Sequence, residues 1–264
     1  MIYLKTEEEI EKLRRANMIV AGTLAEIAKV IRPGITTKQL DKIAEQYIRD
    51  NGATPTFKGF PNPYGPSFPA SICTSVNDVI VHGIPNDEEL REGDIVSVDC
   101  GTKIDDFCGD SCYTFRVGQV SSEVEALLRV TKEALYKGIG QAIAGRRIGD
   151  IGSAVQTHAE SNGYGVVREF VGHGIGHDMH EDPMVPNYGK KGNGKAIKNG
   201  LCIAIEPMIT MGSPNLYLTE DRWTVKTQDG KPAAHFEHSM AIHHGKADIL
   251  SSFDEIEKIE SQLN

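Results

Sequence analysis

Apolar residues in this chain follow a helical period in some stretches and a strand period in others. Thr6 and Glu9 form a capping box ahead of Ile10, Leu13 and Leu24, and Pro33-Gly34 ends the run. Thr36 with Gln39 opens a second helix, whose apolar face is Leu40, Ile43, Ala44, Tyr47 and Ile48. Asn51-Gly52 stops it. Residues 59–69, GFPNPYGPSFP, are rich in proline and glycine and read as a loop. Strand-like runs follow: ICTSV, VIVHGI, DIVSVDCG and DSCYTFRV, the last two joined by a short turn as a hairpin. The second half repeats this order. Ser122 with Glu125 caps a predicted helix to about Ala144, and Asp150 starts another that ends near Asn162-Gly163. Then come GVVREF, GLCIAIEPM, RWTVKT and HFEHSMAIHH. The expected class is α+β, each half reading helix, helix, antiparallel strands.

An internal duplication accounts for that order. Gly93-Asp94-Ile95-Val96-Ser97-Val98-Asp99 and Gly200-Leu201-Cys202-Ile203-Ala204-Ile205-Glu206 are both a glycine, an alternating apolar strand and a carboxylate. Each is followed by a second carboxylate on a later run, Asp110 and Glu237. Period 2 is generic to half-buried strands, so likeness alone does not demand duplication. The expectation is one domain over 1–264, with halves at about 6–120 and 121–250 whose carboxylates meet at the centre.

Charge narrows the partners. With 28 basic against 37 acidic residues the net charge is -9, which argues against nucleic acid, because phosphate binding needs basic patches. The start, MIYLKTEEEIEKL, has no apolar h-region and reads as no signal peptide. No apolar run of about 18 residues is present to span a membrane. The five cysteines, Cys73, Cys100, Cys108, Cys112 and Cys202, are odd in number and make no pair of CxxC motifs. They read as reduced thiols of a cytoplasmic protein. A disulfide or metal role for Cys108 and Cys112 is set aside, since thiol ligands to zinc usually come in fours. No surplus of apolar surface is evident, which favours a monomer.

The chemistry lies in the carboxylates. An Asp at a strand end is usually a solvated cap. Asp110, however, lies across the expected hairpin from Asp99, so both can face one site. Glu206 sits inside LCIAIEPMI, where an ionised Glu costs several kcal/mol unless paired or bound to a cation. Glu237 stands between Phe236 and His238, again ahead of an apolar strand. Four converging carboxylates would repel, and two divalent cations remove that problem. Oxygen-rich donors with some imidazole suit manganese, iron(II) or cobalt better than structural zinc. In Gly172-His173-Gly174-Ile175-Gly176-His177-Asp178-Met179-His180, the His173 and His177 spacing resembles a helical metal pair, but Gly174 and Gly176 make a helix improbable. In an extended loop His173 and His180 approach one centre, and His177 is expected on the surface.

The strings VNDVIVHGIP, DIVSVDCG, GDSCYTF, GHGIGHDMHEDP, LCIAIEPM and HFEHSMAI, in this order from about Thr6 to His243, resemble the type I methionine aminopeptidases of bacterial type. The resemblance implies the pita-bread fold and two divalent ions, cobalt, manganese or iron(II), with zinc as an alternative. It implies the metal ligands Asp99, Asp110, His173, Glu206 and Glu237. It makes His82 and His180 substrate contacts, and Phe68, Cys73, Met179 and Trp223 the side-chain pocket. Trp223 is the only tryptophan, and a lone tryptophan is as often simply core. The implied reaction removes the initiator methionine from nascent polypeptides, close to the ribosome, when the second residue is small and uncharged. A hydroxide bridging two metals would attack, Glu206 would relay the proton, His180 would donate to the oxyanion and His82 would contact the scissile amide. Met179, His177 and the loop 59–67 depart from the family's pattern and bear on pocket shape. Prolidases and X-Pro aminopeptidases share the ligands but usually carry an extra N-terminal domain. Creatine hydrolases and noncatalytic relatives lack the ligand set.

Overall fold

The computed structural model describes residues 1–263. Both expected capping boxes form. Thr6 and Glu9 open α1 (Glu7–Val30), and Thr36 and Gln39 open α2 (Thr37–Asp50). Strands β1 (Thr54–Pro55), β2 (Ile72–Val76), β3 (Val79–Val81), β4 (Ile95–Ile104) and β5 (Phe107–Arg116) follow, with residues 59–69 forming no helix or strand. Asp105 and Asp106, both at positive φ, turn the β4–β5 hairpin.

The second half departs from expectation in its boundaries. Ser121, not Ser122, caps α3 (Ser122–Ile139) by accepting from the Val124 amide, and the helix stops short of Ala144. Helix α4 (Ile148–Ser161) begins before Asp150, whose carboxylate instead accepts from the Arg147 amide inside the first turn. The run GVVREF yields only β6 (Gly165–Val166). After it come β7 (Gly172–Gly174), β8 (Glu181–Val185), β9 (Cys202–Ile205), β10 (Met208–Thr210) and β11 (Leu216–Leu218). The chain closes with β12 (Val225–Thr227), β13 (Ala233–His235), β14 (Glu237–His243), β15 (Lys246–Ile249) and α5 (Asp254–Leu263). The sequence reading did not anticipate α5.

Seven strands run side by side in the order β1-β4-β5-β14-β9-β7-β8. The first half's hairpin thus meets the second half's β14 and β9 at the middle. Helix α1 packs on β4 and β5, and α3 packs on α4, β9 and β13. Gly109 lets α1 approach, because a Cβ there would lie 2.6 Å from the backbone of Ala16 and Asn17. Covering one face this way leaves the other face of β4, β5, β14 and β9 to line the interior. Hence Ser97, Thr114 and Ser239 are buried on that interior face, while Ser111 is buried on the face of Val96 and Val98. Their hydroxyls are satisfied: Ser111 donates to the Glu237 carbonyl at 2.6 Å and Ser239 to the Asp110 carbonyl at 2.8 Å. Among the described residues, no helix is long and apolar enough to cross a membrane.

Candidate metal centre

Strand register assembles the acidic site. Asp99 is opposite Cys112, and Cys112 is opposite Glu237. The next pairing sets His238 against Ile205, so Glu206, just beyond β9, comes beside Glu237. Residues opposite one another share a face, and Asp110 joins that face two residues before Cys112. Four carboxylates from four neighbouring segments therefore converge.

His173 on β7 completes the group. Ligand atoms of Asp110, His173 and Glu237 lie within 4.8 Å of one another. Its Nε2 is 3.7 Å from Asp110 and 3.6 Å from Glu206. Nδ1 lies 2.9 Å from the Gly174 carbonyl and donates to it, which leaves the Nε2 lone pair facing the carboxylates. Burial, helped by the nearby His180, pushes the His173 pKa down to about 4, so the ring is neutral near pH 7 and able to ligate.

The carboxylates move the other way. Burial raises Asp99 to about 7. Burial first, then neighbouring carboxylates, hold Asp110, Glu206 and Glu237 well above the ordinary range. Asp99 Oδ1, Asp110 Oδ1 and Glu237 Oε1 are shielded from solvent without a hydrogen bond. Among the described residues, no lysine or arginine pairs with any of the four; their basic neighbours are His173 and His235. Buried carboxylate oxygens crowded together with no cationic side chain among them and a neutral imidazole beside them are a donor set that fits divalent metal.

A cavity of about 200 Å³ opens onto these groups, lined by the five residues, by His82, His180 and His235, and by an apolar wall that includes Phe57, Phe60, Phe68, Cys73, Phe170 and Trp223. Phe68 meets Trp223 edge-on at 5.2 Å. The loop 59–67 forms part of the wall's support: Trp223 donates to the Pro66 carbonyl, Arg222 to the Tyr64 carbonyl and Asn62 to the Arg222 carbonyl. His82 is held at φ 58 with its ring edge-on to Phe170 and Trp223. A bulky residue at positive φ is uncommon and marks a position whose orientation is imposed by its surroundings. His180 lies at the exposed mouth, its ring 4.4 Å from that of His173 and 5.6 Å from that of Phe60.

Met179 is a correction. It does not line the cavity but is buried in a separate cluster with Ile175, Phe107 and Cys108. A Cβ on Gly101 would collide with the Met179 methyl, so the absence of a side chain there makes its berth. Phe57 packs against both this cluster and that of Phe68 and Cys73. His177 is exposed as expected, its Nδ1 3.1 Å from the Asp106 carbonyl. All five cysteines are free.

The sequence reading missed His235, Phe57, Phe60 and Phe170. His235 is buried, with Nε2 3.7 Å from Glu206 and no hydrogen bond. It sits two residues before Glu237, a strand-period signal that was available. The phenylalanines lie outside long strands and carry no such signal.

A methionine aminopeptidase of Clostridium perfringens is 49% identical over 251 residues, 95% of this chain and 99% of that protein. A crystal structure of methionine aminopeptidase from Thermotoga maritima superposes with TM-score 0.92 at 40% identity, covering 96% of this chain and 100% of that one. A prolidase from Pyrococcus furiosus shares the fold at TM-score 0.74 and 22% identity, but this chain covers 65% of it. The architecture is thus the pita-bread fold. A family model matches residues 11–244, and the chain belongs to metallopeptidase family M24.

Proposed function

We propose that this chain is a methionine aminopeptidase that removes an N-terminal methionine when the second residue is small and uncharged. The observation that carries this reading is the convergence of four buried carboxylates, three with bare oxygens, beneath an apolar cavity of about 200 Å³. Asp99, Asp110, His173, Glu206 and Glu237 would hold two divalent ions. Bound there, the ions would polarise the first peptide carbonyl and supply a nucleophile from water near neutral pH. Glu206 holds the proton released from water and passes it to the leaving amine. His180, at the mouth, donates to the carbonyl oxygen as negative charge develops. His82, fixed between Phe170 and Trp223, positions the scissile amide.

The cavity accounts for the side chain removed. Its aromatic wall and Cys73 suit an apolar, polarisable methionine, and its size suits one side chain. The halves 6–120 and 121–250 are read as one duplicated unit, with the ions at their junction. Metal-dependent release of methionine from Met-Ala-Ser, compared with Met-Lys-Ser and X-Pro peptides across manganese, iron(II), cobalt and zinc, tests the proposal. Equal rates for the two methionine peptides, or preference for X-Pro, would overturn it.

A further inference from the structure

At the far end of β14 from Glu237, a second group of metal-type ligands comes together that the proposed reaction does not use. Ligand atoms of Glu7, His243 and His244 lie within 4.8 Å of one another. None of the three lines the cavity of the carboxylate centre. Consecutive residues of a strand normally point to opposite faces, so adjacent histidines should diverge. Here they do not. His244 takes φ 49 and Gly245 φ 83, the geometry of a tight hairpin turn between β14 and β15, and the two imidazoles stand 3.9 Å apart. The turn is held from two sides: the Gly245 amide donates to Asn199 Oδ1 at 2.8 Å, and its carbonyl accepts from the Ala144 amide at 3.0 Å.

The individual donors are set up for ligation. His243 Nε2 is shielded from solvent, makes no hydrogen bond and lies 3.5 Å from Glu7 Oε1. On the other side of the ring, Nδ1 faces the Asp248 carboxylate at 4.0 Å, and Arg14 anchors that carboxylate at 2.7 Å. That separation is too long for a hydrogen bond, so the carboxylate acts on the ring only by its charge, while Nε2 is the nitrogen turned to Glu7. Glu7 is exposed in the first turn of α1, whose start is fixed by the Thr6–Glu9 capping box. Lys246, the cross-strand neighbour of His243, is exposed and can swing to solvent.

We propose that Glu7, His243 and His244 form a second, peripheral site for a borderline divalent ion of the zinc, nickel or copper(II) class, linking the start of α1 to the β14–β15 hairpin. Two imidazoles and one carboxylate, with water at the remaining position, suit that class and not magnesium or calcium, which take oxygen ligands. The site differs in chemistry from the carboxylate centre, which offers one imidazole among four carboxylates.

Nickel(II) alone is the probe. The manganese-loaded enzyme is dialysed against graded nickel near neutral pH, and bound nickel is counted for wild type, His244→Asn and Glu7→Gln. Asparagine tolerates positive φ, so His244→Asn keeps the turn while removing a ligand. Both variants should retain wild-type turnover, which also shows that they fold. Wild type is expected to bind one nickel per chain more than His244→Asn at low micromolar nickel. Glu7→Gln should weaken that site by about tenfold or more. Equal nickel counts for wild type and His244→Asn would overturn the proposal. Unchanged affinity in Glu7→Gln would overturn the three-ligand site.

Discussion

Glu206 stands where an apolar strand ends, and its carboxylate is held protonation-prone by burial and by Asp110 and Asp99. Glu206→Gln keeps the shape but removes the charge, so one metal should be lost and turnover should fall to under about a tenth of wild type in a folded protein. A variant retaining more would refute the ligand assignment. The same electrostatics set a pH dependence. Metal must displace protons from carboxylates whose affinity for protons is raised, Asp99 to about 7. Apparent manganese affinity should therefore fall as pH drops from about 8 to about 6, with protons released on binding, measurable by calorimetry in buffers of different ionisation enthalpy. The histidines of β7 and its following loop separate cleanly. His180 lines the cavity while His177 faces solvent against Asp106 and Phe107. His180→Ala should cost about 10²–10³ in kcat with little change in KM or metal content, whereas His177→Ala should stay within a few-fold of wild type. Loss of metal in His177→Ala would restore the helical His173–His177 pair.

Between elements, the contact of α1 with the β4–β5 hairpin positions Asp110. Gly109 touches the α1 backbone at Ala16, and the Asp110 amide donates to Asn17 Oδ1, itself tied by Nδ2 to the Leu13 carbonyl. Gly109→Ala should push the helix off the hairpin, costing about 1–3 kcal/mol in urea unfolding and lowering metal affinity along with it. Unchanged stability would show that the helix shifts freely. This level also shows where sequence reading stops. Both capping boxes and the Asp99–Asp110 hairpin were readable because caps and period 2 are local signals. The row Asp99, Cys112, Glu237, Glu206 was not, because register between β5 and β14 joins residues 125 apart in sequence and leaves no local trace. Met179 is out of place for a related reason: the space it fills is left open by Gly101 of β4, far from it in sequence. The expected cap at Ser122 is one residue late, because the hydroxyl that accepts from the Val124 amide is that of Ser121.

For the whole molecule, the proposed metal ligands come from β4, β5, β7, the end of β9 and β14, so occupancy of the site would bear on both ends of the chain at once. Without metal, burial favours the protonated acids. The unfolded chain binds fewer protons than the folded one between the ordinary carboxylate pKa and the raised values, so the contribution of these four groups to metal-free stability is greatest at low pH. That contribution is lost as pH rises through about 7 for Asp99. Bound cations reverse this by favouring the ionised forms. An ion that binds only the folded state adds about 2.7 kcal/mol at one hundred times its Kd. For a chain of this size that is about 5–10 °C in melting temperature. Manganese should therefore raise the melting temperature by that amount near pH 8, and chelator should remove the gain. Asp110→Asn discriminates repulsion from a generic salt effect. It deletes one of the crowded charges, so its metal-free form should melt above metal-free wild type near pH 8, yet gain little from manganese and lose turnover. Stability and activity would then move in opposite directions at one residue, as expected where charges are crowded to hold a cation and not to hold the fold. If metal-free Asp110→Asn melts below metal-free wild type, the carboxylates are not in conflict, and the reading of this centre as a site built for cations loses its energetic basis.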